Sequence, residues 1–459
     1  MKIVGIFQAS KAEQVARLNK RDITVAIVGF GYIGCCIGAV LAEKGCKVIG
    51  IDINKKIVEI INKKQSPINE PKVPALLKRA IEKNMLIVTT DFSFVKKADF
   101  IIITVGTPIG EDYEPILDHI RAASTEVAKY LEKGHMVIIK STVPPFTTRN
   151  FIKPILEYSF KVGQDFGLAF CPERIAEGRA VQELQSIPIV IGADDTNSML
   201  LASLFWSNIL NVKTINVSST LVAEMTKLAD NIWIDLNIAL ANELALVCDK
   251  IGADVLEVIK AANSLPKVMG NVNILLPSMG VGGYCLTKDP WFIFNFAKKN
   301  GIHLKTPVTS RNVNEYMPHY TFSLIEQALK SEGKKIEESK VAVLGLSFKN
   351  GTGDVRNTPT KITIELLKQR GYKLAVFDPW VNEEDTKIVT GMVQANSIEM
   401  AVSEADVIAF LTGHPEFISY PLDKLAGLVK KDCWFIDGRN SFEREKVVAV
   451  GFKYKGIGR

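Results

Sequence analysis

Residues Ile23–Ala42 read ITVAIVGFGYIGCCIGAVLA and carry no charged side chain, a length that also suits a bilayer-spanning segment. The reading of this stretch decides the fold. Ile23 to Val28 is a β-branched run. Gly29-Phe-Gly31-Tyr-Ile-Gly34 follows, then a helix-like segment to Lys44, then the apolar run Lys47–Ile51 ending at Asp52. A strand, a glycine loop, a helix, a second strand and an acid about 20 residues on make up the full dinucleotide fingerprint, not a lone GxGxxG. Gly29 permits the tight turn, Gly31 lets the backbone approach a pyrophosphate, and Gly34 lets the helix pack on the strand. Asp52 is placed to bond the ribose hydroxyls of NAD and to repel the extra phosphate of NADP. A parallel strand covered on both faces is apolar throughout, so the missing charge needs no lipid. Glycines at 29, 31, 34 and 38 interrupt the stretch, and Asp22 and Lys44 bound it.

Composition agrees. The chain has 459 residues, 47% apolar and 23% charged, and 56 basic against 50 acidic side chains give +6. Such a chain can bury two or three cores, which excludes a disordered, collagen-like or rod-like protein. The mild positive charge, with no dense basic stripe, suits a small anionic ligand and not nucleic acid. Seven cysteines without a CxxC pair or a secretory leader suit a reducing cytoplasm. His119, His135, His303, His319 and His414 lack metal-ligand spacing, so no metal is expected.

Residues 1–22 form a polar extension and 23–210 an NAD-binding Rossmann domain, with further strands expected at 100–104, 136–140, 167–170 and 188–191. Residues 211–330 form a central helical domain, because no Pro or Gly interrupts 220–251. Residues 331–459 form a second Rossmann-like domain, with strands at 341–346, 373–377, 407–411 and 433–436. It lacks GxGxxG and shows Gly345-Leu-Ser-Phe-Lys-Asn-Gly351 instead. The expected fold class is therefore α/β: two doubly wound Rossmann-like domains joined by a central helical domain with one long helix.

Gly280-Val-Gly282-Gly283-Tyr-Cys285-Leu-Thr-Lys288-Asp289 carries the most chemical information. Glycines admit close approach, a thiol follows, and a cation and a carboxylate come next, which suits an activated cysteine. Most cysteines are simply packed, and Cys35, Cys36, Cys46, Cys248 and Cys433 are read so. Lys227 and Asn231 share a helix face at i, i+4, which a solvated face would also explain. Cys171-Pro-Glu173-Arg174 and Lys140-Ser-Thr142-Val-Pro-Pro145 stand at strand ends, where α/β folds place ligand loops. An exposed ion pair is the plain alternative for the first of these.

These segments together resemble the UDP-sugar 6-dehydrogenase family. The matches are GFGYIG at Gly29, VGTP at Val105, KSTVPP at Lys140, CPERIAEG at Cys171, EMTKLADN at Glu224, GVGGYCLTKD at Gly280 and LSFKNGTGDVRNTP at Leu346, in the family's order. The resemblance implies an N-terminal NAD domain, a central helix for dimerisation and a C-terminal UDP domain. It implies four-electron oxidation of a UDP-sugar hydroxymethyl group to a carboxylate, with two NAD consumed. Cys285 resembles the family's nucleophile, Lys227 and Asn231 its oxyanion and water pair, Glu173 and Asp289 its water-handling groups, and Thr142 a residue beside the nicotinamide. Cofactor contacts are implied at Gly29, Gly31, Tyr32, Ile33, Gly34, Asp52, Thr107, Thr142 and Arg356. Substrate contacts are implied at Glu173, Arg174, Lys227, Asn231, Gly282, Phe348 and Lys349.

CPER and KDPWF resemble the branch acting on UDP-N-acetylhexosamines, UDP-N-acetyl-D-mannosamine above all, and Arg174 offers donors to an acetamido carbonyl. Where that branch often has Pro-Arg, this chain has Gly270-Asn271 before Val272. That departure leaves Lys267 as a replacement contact and keeps UDP-N-acetylglucosamine and UDP-glucose open. The expected partners are a UDP-sugar and a second copy or more of this chain, without nucleic acid or membrane. Two competing readings stay in view. A two-electron hydroxy-acid dehydrogenase would need neither Cys285 nor a second nucleotide domain, and an inactive nucleotide-sugar sensor would bind without turnover.

Overall fold

The computed structural model describes residues 5–265 and 273–459; Lys267, Gly270, Asn271 and Val272, on which the sugar contact turned, lie outside the described residues. The chain divides into two compact units. The first comprises Met1–Asp230 with Trp291–Ile302, the second Asn231–Pro290 with His303–Arg459.

The first unit holds an eight-stranded sheet of β1 (Thr24–Val28), β2 (Lys47–Ile51), β3 (Leu86–Thr89), β4 (Phe100–Ile103), β5 (Met136–Ile139), β6 (Gly167–Phe170), β7 (Ile189–Ala193) and β8 (Thr214–Val217). Their order is β3-β2-β1-β4-β5-β6-β7-β8, parallel except where β6 meets β7. Along β1, Val25 and Ile27 enter one apolar cluster, and Ala26 and Val28 enter another. Successive side chains of a strand point to opposite faces, so β1 is buried on both, which is why its sequence carries no charge. Helix α1 (Lys11–Lys20) precedes the sheet and α2 (Tyr32–Glu43) follows β1. The uncharged run is thus strand, loop and helix. The extension before it docks through buried Ile6, Phe7 and Leu18 and through Arg17, which bonds Asp99 at 2.5 Å.

The second unit holds a parallel sheet of β9 (Lys340–Leu344), β10 (Lys373–Phe377), β11 (Val407–Phe410), β12 (Trp434–Asp437) and β13 (Lys453–Gly456), in the order β10-β9-β11-β12-β13. In each sheet the order reverses at one point, between β1 and β4 and between β9 and β11, and a doubly wound fold binds ligands beyond the strand ends there. Helix α3 (Thr220–Ile251) is continuous and ends at Gly252, whose φ of 75° lies in the left-handed region that glycine adopts without a Cβ penalty. Among the described residues it is the one helix long and apolar enough to cross a membrane. Its buried positions nevertheless include Glu224, Lys227, Asn231, Asp235 and Asn242, polar groups that pack against protein partners.

Candidate active site

The first unit provides a cleft of about 290 Å³ at the switch point of its sheet, lined by Gly29, Gly31, Asp52, Thr104, Val105 and His119 among others. A Cβ on Gly34 would stand 2.2 Å from the Gly29 carbonyl, so the start of α2 reaches the loop only as glycine; a Cβ on Gly31 would meet nothing within 4 Å. The loop therefore leaves open space above the first amides of α2, where phosphate is favoured. Asp52 is set by two amides: Oδ2 accepts from Phe30 at 2.7 Å and Oδ1 from Asn54 at 2.8 Å. Tyr32 donates its hydroxyl to Glu70, a buried carboxylate that also accepts from the amides of Gly178 and Ala180 at 2.7 and 2.8 Å. Ile33 packs against the core. Thr107 donates to the Thr142 carbonyl at 2.5 Å, tying the loops after β4 and β5 together.

After β6, Glu173 is buried against Lys140 at the end of β5, with Nζ 3.1 Å from Oε2, while Oε1 accepts from the amides of Arg174 and Ile175 at 2.7 and 3.0 Å. Burial alone would raise this carboxyl, but Lys140 and the two amides outweigh it and hold it below the usual carboxylate range. Lys140 also lies 4.9 Å over the Trp206 ring. Arg174 turns its guanidinium to the Pro188 carbonyl at 2.5 Å and to Asp230 at 3.6 Å. On α3, Lys227 is buried. One turn earlier Glu224 accepts from Phe146 and Thr148, both at 2.7 Å, and burial pushes its carboxyl up to about 7. Glu224 thus fastens the loop that begins at Thr142 to the helix that carries Lys227.

The second unit carries the cysteine. Among the seven cysteines Cys285 is the exposed one and the other six are buried. Burial pushes the thiols of Cys46 and Cys433 up to about 12 and that of Cys171 to about 11, and raises Cys35 and Cys36 further. The Cys285 carbonyl accepts from Lys288 at 3.2 Å and Asp289 at 2.9 Å, so a tight turn sets the thiol at the entry to the helix starting at Asp289. Asp289 is fully buried and accepts from Asn231 and Lys288, each at 2.5 Å. Both its oxygens are engaged, so it orients Asn231. A Cβ on Gly282 would stand 2.5 Å from that of Phe348; the glycines before Cys285 make room for protein, where a ligand was expected. The Arg356 carbonyl accepts from Gly283 at 3.1 Å, and its guanidinium lies 5.5 Å from the Tyr284 ring and pairs with Asp354. Phe348 and Lys349 stand in the loop after β9.

Family models match in three consecutive pieces: the NAD binding domain of the UDP-glucose/GDP-mannose dehydrogenase family over residues 23–209, its central domain over 221–316 and its UDP binding domain over 342–444. The chain belongs to the UDP-glucose/GDP-mannose dehydrogenase family. It is 37% identical to a UDP-N-acetyl-D-mannosamine dehydrogenase of Campylobacter jejuni, over 87% of this chain and 98% of that one. It is 33% identical to an NDP-N-acetyl-D-galactosaminuronic acid dehydrogenase of Ralstonia nicotianae, over 93% and 98%. The solved structure of the UDP-D-ManNAc dehydrogenase of Pyrococcus horikoshii superposes with a TM-score of 0.85 at 33% identity, covering 95% of this chain and 99% of that one. The chain is thus an oxidoreductase, an NAD-dependent UDP-sugar dehydrogenase. The first unit fits NAD: open space over the Gly31 amide suits a pyrophosphate, and Asp52 lines the cleft where a ribose would lie.

Sequence reasoning passed over Lys140, the charge partner of Glu173, and Glu224, although both stand inside quoted motifs. Neither carries a signal of its own, because their partners are distant in the chain.

Proposed function

We propose that this chain oxidises the C6 hydroxymethyl group of UDP-N-acetyl-D-mannosamine to a carboxylate through a covalent adduct on Cys285. The observation that carries the mechanism is the single exposed thiol among seven, set in the turn before buried Asp289. The names of several relatives support the sugar. NAD, held by the Gly29–Gly34 loop and Asp52, would supply the hydride acceptor for each of two oxidations. The Cys285 thiolate adds to the aldehyde, giving a thiohemiacetal whose carbon gives up the second hydride and becomes a thioester. Lys227 and Asn231 stabilise the oxyanions, with Asn231 oriented by Asp289. Glu173, ionised beside Lys140, takes a proton from water held near Thr142, and that water releases the acid and the thiol. Two NAD and one water are consumed, and two NADH, the carboxylate and three protons are formed.

Gly29, Gly31, Tyr32, Ile33, Gly34, Asp52 and Thr107 belong to the cofactor side of this proposal, with Arg356 reaching the cofactor from the loop after β9. Arg174, Phe348 and Lys349 belong to the sugar-nucleotide side, and Gly282 serves it by admitting Phe348. The division into cofactor (23–210), central (211–330) and UDP-sugar (331–459) domains and a cytoplasmic, homodimeric enzyme are parts of the same reading. The half-exposed stripe of Trp233, Leu236, Leu240 and Val247 on α3 supports the dimer.

The test is a panel of UDP-N-acetyl-D-mannosamine, UDP-N-acetylglucosamine, UDP-N-acetylgalactosamine and UDP-glucose, with NADH counted per acid formed. Two NADH per acid, fastest with the first sugar, is the expected result. One NADH per sugar with a carbonyl product would favour the two-electron reading, and binding without NAD reduction would favour the sensor. Asp52→Ala should weaken NADH binding by roughly tenfold or more, since it removes charged acceptors from the ribose, and leave NADPH little changed. Fluorescence titration of both cofactors checks this, and unchanged discrimination would show that Asp52 does not read the ribose.

A further inference from the structure

The second unit repeats a device of the first and then covers it. Asp378 follows β10 as Asp52 follows β2, and its Oδ2 accepts from Leu346 at 2.7 Å as that of Asp52 accepts from Phe30. Asp52 lines an open cleft, whereas Asp378 is 1% exposed and lies under His414, itself 0% exposed. His414 follows β11, on the other side of the switch point. Its Nε2 lies 3.1 Å from Asp378 Oδ2 and 3.1 Å from Ser347 Oγ, and its Nδ1 accepts from the Gly351 amide at 3.0 Å. An amide only donates, so Nδ1 is bare and the ring proton sits on Nε2, facing Asp378. Burial would raise the Asp378 carboxyl, but His414 and the amides of Leu346 and Trp380 hold it below its usual range.

The carboxylate that reads a ribose in a dinucleotide fold is therefore closed off here, and the nucleotide must be read by the loop itself. That loop is fastened at almost every residue. The Ser347 carbonyl accepts from Thr412 at 2.6 Å, that of Phe348 from Arg439 at 2.8 Å, and Asn350 accepts from the Gly413 amide at 2.9 Å. We infer that His414 is a positioning residue of the sugar-nucleotide site, fixing the loop Leu346–Gly351 from both ends so that Phe348 and Lys349 stand in their binding pose. The inference rests on the reading of those two residues as UDP-sugar contacts.

Calorimetric titration of the full chain with UDP tests it, together with KM for the UDP-sugar and for NAD. His414→Phe keeps an aromatic ring and loses the contacts of both ring nitrogens, to Asp378, Ser347 and Gly351. It should weaken UDP and raise the sugar-nucleotide KM by roughly tenfold or more, with the NAD KM within about twofold, since buried partners are left unpaired. His414→Asn keeps an acceptor near Nδ1 and His414→Gln a donor near Nε2. Asp378 keeps the amides of Leu346, Ser347, Trp380 and Val381 as donors, whereas the Gly351 amide is given to Nδ1, so Asn should recover more UDP affinity than Gln, and this pair decides if the Phe variant fails to fold. Unchanged UDP affinity in His414→Phe, parallel loss of UDP and NAD affinity, or Gln surpassing Asn would overturn the inference. Lys349→Ala separates the two failures. If it leaves UDP binding unchanged, the loop is not the UDP-sugar contact; if it weakens UDP while His414→Phe does not, His414 has no positioning role.

Discussion

Cys285→Ala is expected to abolish acid formation, with a loss of at least about a thousandfold in kcat, while NADH and UDP bind within about twofold of the parent chain. The size follows from the chemistry. Without addition of a thiolate, the aldehyde lacks the alkoxide that expels the second hydride, and no other described cysteine can substitute, since the other six are buried and burial raises the thiols of Cys35, Cys36, Cys46, Cys171 and Cys433. Cys285→Ser separates the steps further. Its hydroxyl is a much weaker nucleophile at neutral pH and, where it adds, leaves an ester that water cleaves slowly. Intact-mass spectrometry after mixing with UDP-sugar and NAD should show a stalled adduct or none, and NADH release should fall in proportion. Normal turnover in the alanine variant would exclude a covalent route, and a loss of NADH affinity equal to the loss of rate would mark Cys285 as structural.

The strands that sequence revealed are the interior ones and one edge strand, Lys373–Phe377. Those it did not reveal, Leu86–Thr89, Thr214–Val217 and Lys453–Gly456, are all at sheet edges. An edge strand is partly solvated and mixes polar with apolar residues: Ile87 and Ile215 stand 45% and 46% exposed, and Lys453–Gly456 alternates in burial. A continuous apolar run marks interior parallel strands and, at the edge strand Lys373–Phe377, one whose Leu374 and Phe377 pack against the apolar clusters of its sheet. The candidate site shows a similar division. Cys285, Glu173 and Lys227 were legible because each is chemically out of place in an otherwise packed or glycine-rich setting. Lys140, Glu224, Asp378 and His414 were not, because their meaning lies in pairing across the fold, which spacing does not encode. The glycines at 282 and 283 were legible as a close approach, but what approaches is Phe348.

Glu173→Gln is expected to stop the reaction after the redox steps. The amide cannot take a proton from water, so each active site should release a burst of two NADH and then turn over slower by roughly 10²–10⁴. A covalent adduct should accumulate on Cys285 and be visible by intact mass. Lys140→Met probes the same step through pH. With Lys140 present the carboxylate is ionised well below neutrality, so hydrolysis keeps its rate until pH falls through that depressed range. Without it, burial dominates and the carboxyl titrates higher, so the acid limb of kcat must move upward, while the rate of the burst is unchanged. Deleting Lys140 leaves a buried carboxylate without its cation, which costs about 3–5 kcal/mol, so its unfolding midpoint is measured beside the profile. A shifted acid limb with a normal burst assigns Glu173 to water activation. A burst that disappears in Glu173→Gln would place the residue before the second hydride transfer, and an acid limb that stays put in Lys140→Met would show that another group takes the proton.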